Sequence, residues 1–312
     1  MKTVRIYEFG GLDSLKLEDV PVPVPASGEV LIRIHGASIN PVDWKTCIGQ
    51  GVAPRLKDPF PFNPGWDVSG IIEAVGANVA ALKTGDAVCG MIRWPLGGGG
   101  YAEYVAAPAT DVVIKPATMS HLEAAGLPLV ALTAWQGLFD IAELSAGQKV
   151  LIHAAAGGVG HIAVQLAKWQ GATVIGTASA RNEEFLRNLG LDVFIDYNAR
   201  QFEDLVHDVD VVFDGAGGDV QERSWSGVKK GGMLASIRGR PSEQDATARG
   251  VRAHHVSVHT DQKQLQEIAD LVEAGHIKVH VGATFPLAKI RDAHELSQQG
   301  HGRGKIVLQC SN

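Results

Sequence analysis

Residues 154–160, Ala154-Ala155-Ala156-Gly157-Gly158-Val159-Gly160, follow the apolar run Val150-Leu151-Ile152-His153 and open a helical pattern that extends from Gly158 to Gln170. Strand, glycine turn and helix in that order form a phosphate-binding arrangement. Gly157 and Gly158, flanked by Ala156 and Val159, let a pyrophosphate approach the backbone. Gly160 permits close helix packing, and the free N–H groups at the helix start attract phosphate. Ala155 occupies the usual first-glycine position, a departure from the pattern. The competing reading is an ordinary tight turn. About twenty residues further on, an NAD site carries Asp or Glu for the ribose 2′-hydroxyl. Here Thr173-Val174-Ile175-Gly176 leads into Thr177-Ala178-Ser179-Ala180-Arg181, so Ser179 and Arg181 stand where a carboxylate would repel a 2′-phosphate. The expected cofactor is NADP(H), with a surface-loop role for Arg181 as the alternative.

The elements that must hold this turn are legible in the hydrophobic pattern. Up to about residue 120, short β-like runs such as Val30-Leu31-Ile32-Arg33-Ile34 alternate with Gly, Pro, Asn and Asp, which reads as an irregular β unit. Beyond it, helical patterns (His121 to Gly137, Gly158 to Gln170) alternate with buried-strand runs at 150–153, 173–176, 193–196, 211–214 and 233–237. That alternation predicts a parallel sheet whose ligand lies outside the carboxyl ends of the strands. After the amphipathic segment Gln264 to Ala274, strand, helix and strand return (Lys278 to Val281, Leu287 to Gln298, Lys305 to Gln309), and this tail is expected to rejoin the first unit. The domain expectation is 1–121 with 276–312 for one unit and 122–275 for the dinucleotide unit.

A chain of 312 residues, 45% hydrophobic and 20% charged, is long enough for two cores. Its formal charge of -6 argues against a nucleic-acid surface. Three scattered cysteines, Cys47, Cys89 and Cys310, suit a reducing compartment. With no signal-peptide pattern and no apolar stretch of membrane-spanning length, the expectation is a cytoplasmic protein without membrane partners.

Together with the glycine turn, Asn40-Pro41-Val42-Asp43-Trp44-Lys45, Pro64-Gly65-Trp66-Asp67-Val68-Ser69-Gly70, Gly100-Tyr101-Ala102-Glu103-Tyr104-Val105, Leu132-Thr133-Ala134-Trp135 and Gly304-Lys305-Ile306-Val307-Leu308 resemble the zinc-independent quinone oxidoreductase branch of the medium-chain dehydrogenase/reductase superfamily. The likeness covers essentially the whole chain. It implies an α/β fold class, with a GroES-like β domain completed by the chain's end and a Rossmann doubly wound parallel-sheet domain. It also places Asn40 near the nicotinamide, Thr133 against the nicotinamide or its ribose, Tyr197 against the 2′-phosphate, and Gly215 with Ala216 in the adjoining cofactor loop. Arg303 and Lys305 fall in the family's closing segment, within reach of a cofactor phosphate, with a surface turn as the alternative.

Zinc-bearing relatives place a Cys in the loop that here carries Asn40 and Asp43, and a His where this chain has Trp66, whose indole cannot ligate zinc. No metal is therefore expected. The implied reaction passes hydride from NADPH to a quinone or an α,β-unsaturated carbonyl. Lys45 is the leading catalytic candidate, because a lysine at this place in related enone reductases approaches the substrate oxygen; a solvated loop lysine is the competing reading. Asn40 is the second candidate, and Trp44 is expected to line the substrate pocket. A homodimer through an edge strand is the family expectation. An NADPH-binding structural or regulatory protein with little turnover is the alternative function.

Overall fold

A computed structural model describes residues 1–300 and 302–311. Its chain folds into two compact units, one formed by Met1–Leu129, His259–Ala274 and the segment from Val279 onward, the other by Val130–Val258 with Gly275–Lys278.

The second unit holds a six-stranded sheet in the order Val193–Asp196, Thr173–Ala178, Lys149–Ile152, Val209–Asp214, Val228–Ser236, Arg252–His255, with every neighbouring pair parallel. Strands covered on both faces need unbroken apolar runs, and Val150, Leu151, Ile152, Val212 and Phe213 are fully buried. Leu151, Ile195, Phe202, Val206, Val212, Trp225 and Leu234 belong to one core cluster. Full burial stabilises each such side chain by roughly 1.5–3 kcal/mol. The sixth strand left no apolar signature, because Arg252, Ala253, His254 and His255 form a partly exposed sheet edge.

The helical pattern from His121 to Gly137 is divided into His121–Ala125, Pro128–Trp135 and a π-helical segment Gln136–Ile141. Pro128 has no N–H to continue the first helix and instead opens the second. Gly137 sits where a Cβ would come within 2.5 Å of the Phe213 ring, so a bare backbone there lets the π-helical segment approach the sheet.

In the first unit, a seven-stranded sheet runs Val281–Pro286, Lys305–Gln309, Glu29–Ile39, Asp67–Val75, Ala87–Met91, Val112–Ile114, with Tyr104–Pro108 also paired to Glu29–Arg33. The closing strand Lys305–Gln309 lies antiparallel to the end of Glu29–Ile39, setting Ile306 opposite Ile39. Helix Gln262–Glu273, expected in the dinucleotide unit, groups with this one instead. Its apolar face (Leu265, Ile268, Ala269, Val272) is buried, and Gln262 Nε2 donates to the carbonyls of Ala109 (3.1 Å) and Val112 (2.8 Å). The first boundary likewise falls at Leu129 rather than at 121, since helix His121–Ala125 packs on strand Glu29–Ile39.

Between Glu29–Ile39 and Asp67–Val75 the register shifts at Ile34/Gly36, and Gly70 stands at this irregularity. A Cβ on Gly70 would lie 2.0 Å from the Arg33 carbonyl oxygen. Gly70→Ala is expected to destabilise the protein by about 1–3 kcal/mol, whereas Gly11→Ala, with open space around it, should shift stability by less than about 0.5 kcal/mol. Thermal unfolding of both variants checks this contrast.

Candidate functional site

In the second unit, the turn at 154–160 joins strand Lys149–Ile152 to helix Gly160–Trp169. Ala155 and Ala156 are buried beneath it, while Gly157, Gly158 and Val159 form a half-exposed crest. Gly160 is sterically required, because a Cβ there would lie 2.2 Å from the Ala154 carbonyl oxygen and 2.8 Å from Ala155 Cα. The Ala155 departure has a local compensation. Its methyl faces Gly176 on the neighbouring strand, where an added Cβ would meet Ala155 Cβ at 3.0 Å. Ala154 itself takes a left-handed φ of 53°, which lets Ala155 N donate to the Thr177 carbonyl at 3.0 Å. The turn is thereby tied to the adjacent strand.

Ser179 and Arg181 follow the end of strand Thr173–Ala178. Parallel pairing sets Asp196 opposite Ala178, and Tyr197 N donates to the Ala178 carbonyl at 3.4 Å, so Tyr197 joins Ser179 and Arg181 at one sheet edge. Arg181 is exposed and Tyr197 is 50% exposed. No carboxylate stands in residues 177–182.

Asp214, fully buried, organises the next loop. Its Oδ1 accepts from Ala216 N (2.9 Å) and Gly217 N (2.8 Å), and its Oδ2 from Gln221 Nε2 (2.9 Å) and Ser236 Oγ (2.8 Å). Gly215 and Ala216 are held half-exposed at the carboxyl end of strand Val209–Asp214. Beside this strand, His153 bridges Thr177 Oγ1 and Ser224 Oγ at 3.0 Å each, and burial pushes its imidazole down to about 4. His153 is thus a neutral structural tie. Thr133 is buried, 6% exposed, in helix Pro128–Trp135.

The first unit contains a buried ionic network on helix Pro41–Cys47 and its surroundings. Asp67 Oδ2 accepts from Ser38 Oγ (2.9 Å) and Asn40 Nδ2 (2.8 Å), and its Oδ1 accepts from Leu129 N (2.8 Å). Lys305 Nζ donates to the Ile39 carbonyl (3.2 Å) and to Asn40 Oδ1, and lies 3.9 Å from Asp67 Oδ2. Asp43 Oδ2 accepts from Asn40 N (2.6 Å) and from the Tyr101 hydroxyl, while Asp43 Oδ1 is buried without a partner. Burial pushes the Asp67 carboxyl up and the Lys305 ammonium down, and the opposite charge of each pulls the other back. Burial pushes Asp43 up to about 7, against hydrogen bonds from Tyr101 and Asn40 N that favour its ionised form.

Two of the expected site residues lie inside this network. Asn40, expected at the nicotinamide and in catalysis, is 1% exposed with both ends of its carboxamide engaged by Lys305 and Asp67. Lys305, expected at a cofactor phosphate, is 3% exposed and enclosed by Ile39, Asn40 and Asp67. Both are internal anchors. Arg303, two residues earlier, is half-buried. Lys45 and Trp44 are half-buried on helix Pro41–Cys47, with Lys45 Nζ 5.6 Å from the Trp44 ring centre. Trp66 is fully buried and donates Nε1 to the Leu96 carbonyl at 2.7 Å, so the position offers no lone pair to a metal. Among the described residues no group of three or more His, Cys, Asp or Glu is placed to hold a metal ion. Sequence reading named Asp67 and Tyr101 only as motif letters, and missed Ser38 and the hub role of Asp214. A charged residue opening the apolar run Val68-Ser69-Gly70-Ile71-Ile72 was the available signal for Asp67.

Residues 26–117 match the alcohol dehydrogenase GroES-like domain family, and residues 189–308 match the family described as zinc-binding dehydrogenase. The chain is 36% identical to 2-methylene-furan-3-one reductase of Solanum lycopersicum, across 99% of this chain and 79% of that protein. It is 35% identical, with the same coverage, to the chloroplastic NADPH-dependent alkenal/one oxidoreductase of Arabidopsis thaliana. The solved quinone oxidoreductase from Coxiella burnetii superposes with a TM-score of 0.93 at 38% identity, over 100% of this chain and 99% of that one.

Asp43 also makes the network sensitive to pH. Its carboxyl is raised from 3.8 to about 7 by burial. The stability this contributes is full below the unfolded value and is lost as pH rises through about 7. Tyr101, Asn40 N, Asp67, Lys305 and Cys47 are the groups that face it. Buried histidines act in the opposite direction: His153, pushed down to about 4, adds stability as pH rises toward 6.5. The expected outcome is therefore a difference: the stability of the parent relative to Asp43→Asn falls as pH rises from about 5 to about 7. It is read as the gap between their melting temperatures, and a gap that does not change with pH would remove Asp43 as the source.

Proposed function

This chain belongs to the quinone oxidoreductase branch of the medium-chain dehydrogenase/reductase superfamily, and from that footing we propose that it reduces a quinone or an α,β-unsaturated carbonyl with NADPH. The observation that carries the proposal is the turn at Gly160, where no side chain fits, beside a sheet edge bearing Ser179, Arg181 and Tyr197 without a carboxylate. Such a turn suits a pyrophosphate at a helix start, and such an edge suits a 2′-phosphate.

Bound NADPH supplies the hydride. Around it, the backbone of Ala156, Gly157, Gly158 and Val159 holds the pyrophosphate, and Ser179, Arg181 and Tyr197 hold the 2′-phosphate. Gly215, Ala216 and Thr133 line the rest of the cofactor, with Arg303 as a further phosphate contact. Trp44 offers a flat apolar face to a conjugated substrate. Reduction places negative charge on the substrate oxygen, and Lys45 is the cation assigned to stabilise it. Catalysis without zinc is supported by the indole of Trp66, buried and already donating to Leu96.

Among the described residues no helix is long and apolar enough to cross a membrane. A cytoplasmic homodimer is the accompanying proposal; the buried, unpaired cysteines support a reducing compartment.

Two outcomes test this reading. Arg181→Ala should weaken NADPH binding roughly tenfold to hundredfold, the worth of one charge-assisted bond, while leaving NADH binding unchanged; calorimetry with both nucleotides decides, and unaltered NADPH affinity refutes the 2′-phosphate assignment. Lys45→Ala should lower kcat with NADPH affinity near the parent's, as expected for a group acting in the transition state. Absorbance at the nicotinamide band, followed across a panel of quinones and enones, measures it. No turnover with any of them would favour a binding protein instead.

A further inference from the structure

Helix Pro41–Cys47 is seven residues long, too short to hold its own place in water. Its orientation must come from tertiary contacts, and the buried contacts at its start are unusual. Asn40 is the N-cap residue and forms a capping box with Asp43. Asp43 supplies its half by accepting from Asn40 N at 2.6 Å. The Asn40 carboxamide also reaches into the fold, its Nδ2 donating to Asp67 and its Oδ1 accepting from Lys305.

An asparagine amide is nearly symmetric in shape but not in chemistry. A lysine ammonium only donates and an ionised carboxylate only accepts. Flipping the amide would set NH2 against the ammonium and oxygen against the carboxylate, so the two charges select one orientation. Lys305 arrives from the closing strand, 265 positions after Asn40. Its ammonium also donates to the Ile39 carbonyl, directly before the helix entry.

We propose that Lys305 is a positioning residue which, through Asn40, fixes the start of helix Pro41–Cys47 and so sets where Lys45 stands. The charged pair pins the residue before the first helical turn, and Lys45 lies one turn further along the same short helix. The effect on turnover rests on the reductase reading above; the effect on Lys45 itself does not.

The test uses the full-length protein and two variants. Lys305→Met with Asp67→Asn removes both members of the ion pair together, leaving neither partner as an uncompensated buried charge. Asn40→Ala leaves the pair and cuts its link to the helix. Melting temperature, NADPH Kd, kcat with an enone, and the rate of Lys45 acetylation by acetic anhydride, read by peptide mass spectrometry, are compared with the parent. Both variants are expected to show an altered Lys45 labelling rate and a kcat lowered about tenfold to hundredfold, with NADPH Kd near the parent's. Parental Lys45 labelling in a folded variant overturns the proposal, whatever happens to kcat. Altered labelling with unchanged kcat upholds the positioning role and removes Lys45 from the chemistry. If the double variant fails to fold, the labelling of Asn40→Ala decides alone.

Discussion

A lysine ammonium sealed inside a protein must be compensated, and in this chain the compensation of Lys305 joins five segments of the first unit. Taking an ammonium and a carboxylate out of water costs several kcal/mol each. Their mutual attraction offsets that only when the remaining donors and acceptors are also satisfied. Here they are: Asp67 accepts from Ser38, Asn40 and Leu129, and Lys305 donates to Ile39 and Asn40. The segments that supply these groups are the end of strand Glu29–Ile39, the start of helix Pro41–Cys47, strand Asp67–Val75, the Leu129 backbone and the closing strand. The pair therefore fixes relations among distant parts of the chain. An Asp43 carboxyl raised by burial completes the cluster and ties it to Tyr101.

The second unit solves a different problem, which is how to bring backbone close to a ligand without losing its own packing. Parallel strands buried on both faces supply rigidity, and small residues supply room. Gly160 and Gly176 show the two uses. The first leaves space for the Ala154 carbonyl, and the second makes room for the Ala155 methyl. A turn lacking its usual first glycine thus keeps its shape because a neighbouring strand carries one. Asp214 does the corresponding work by hydrogen bonding, gathering two loop amides and two side chains so that Gly215 and Ala216 stay in place.

Much of this was readable beforehand, and the parts that were not share a cause. Runs at 150–153, 173–176, 193–196 and 211–214 announced strands because full burial demands apolar side chains throughout. Strand Arg252–His255 escaped notice because a partly exposed edge makes no such demand. Pro128 interrupts the helix locally, while the apolar residues on both sides of it keep a continuous helical pattern. Helix Gln262–Glu273 was recognised as amphipathic, yet its pattern does not say which surface it covers. Ser179 and Arg181 were found from their distance to the glycine turn, a local relation. The burial of Lys305 and Asn40 was not legible, because a polar residue near a motif looks alike whether it faces solvent or is buried.

The sequence by itself determined the parallel-sheet unit, the glycine turn, the missing carboxylate after the second strand and the indole at position 66. Each of these depends on residues close together along the chain, where periodicity and steric size act directly. Only the tertiary structure decided that Lys305 meets Asn40 and Asp67, that Asp43 lies against Tyr101, and that Asp214 gathers its loop. Those contacts exist because strand pairing carries remote segments into a low-dielectric interior, where a charge must find its partner regardless of how far away in the chain that partner lies.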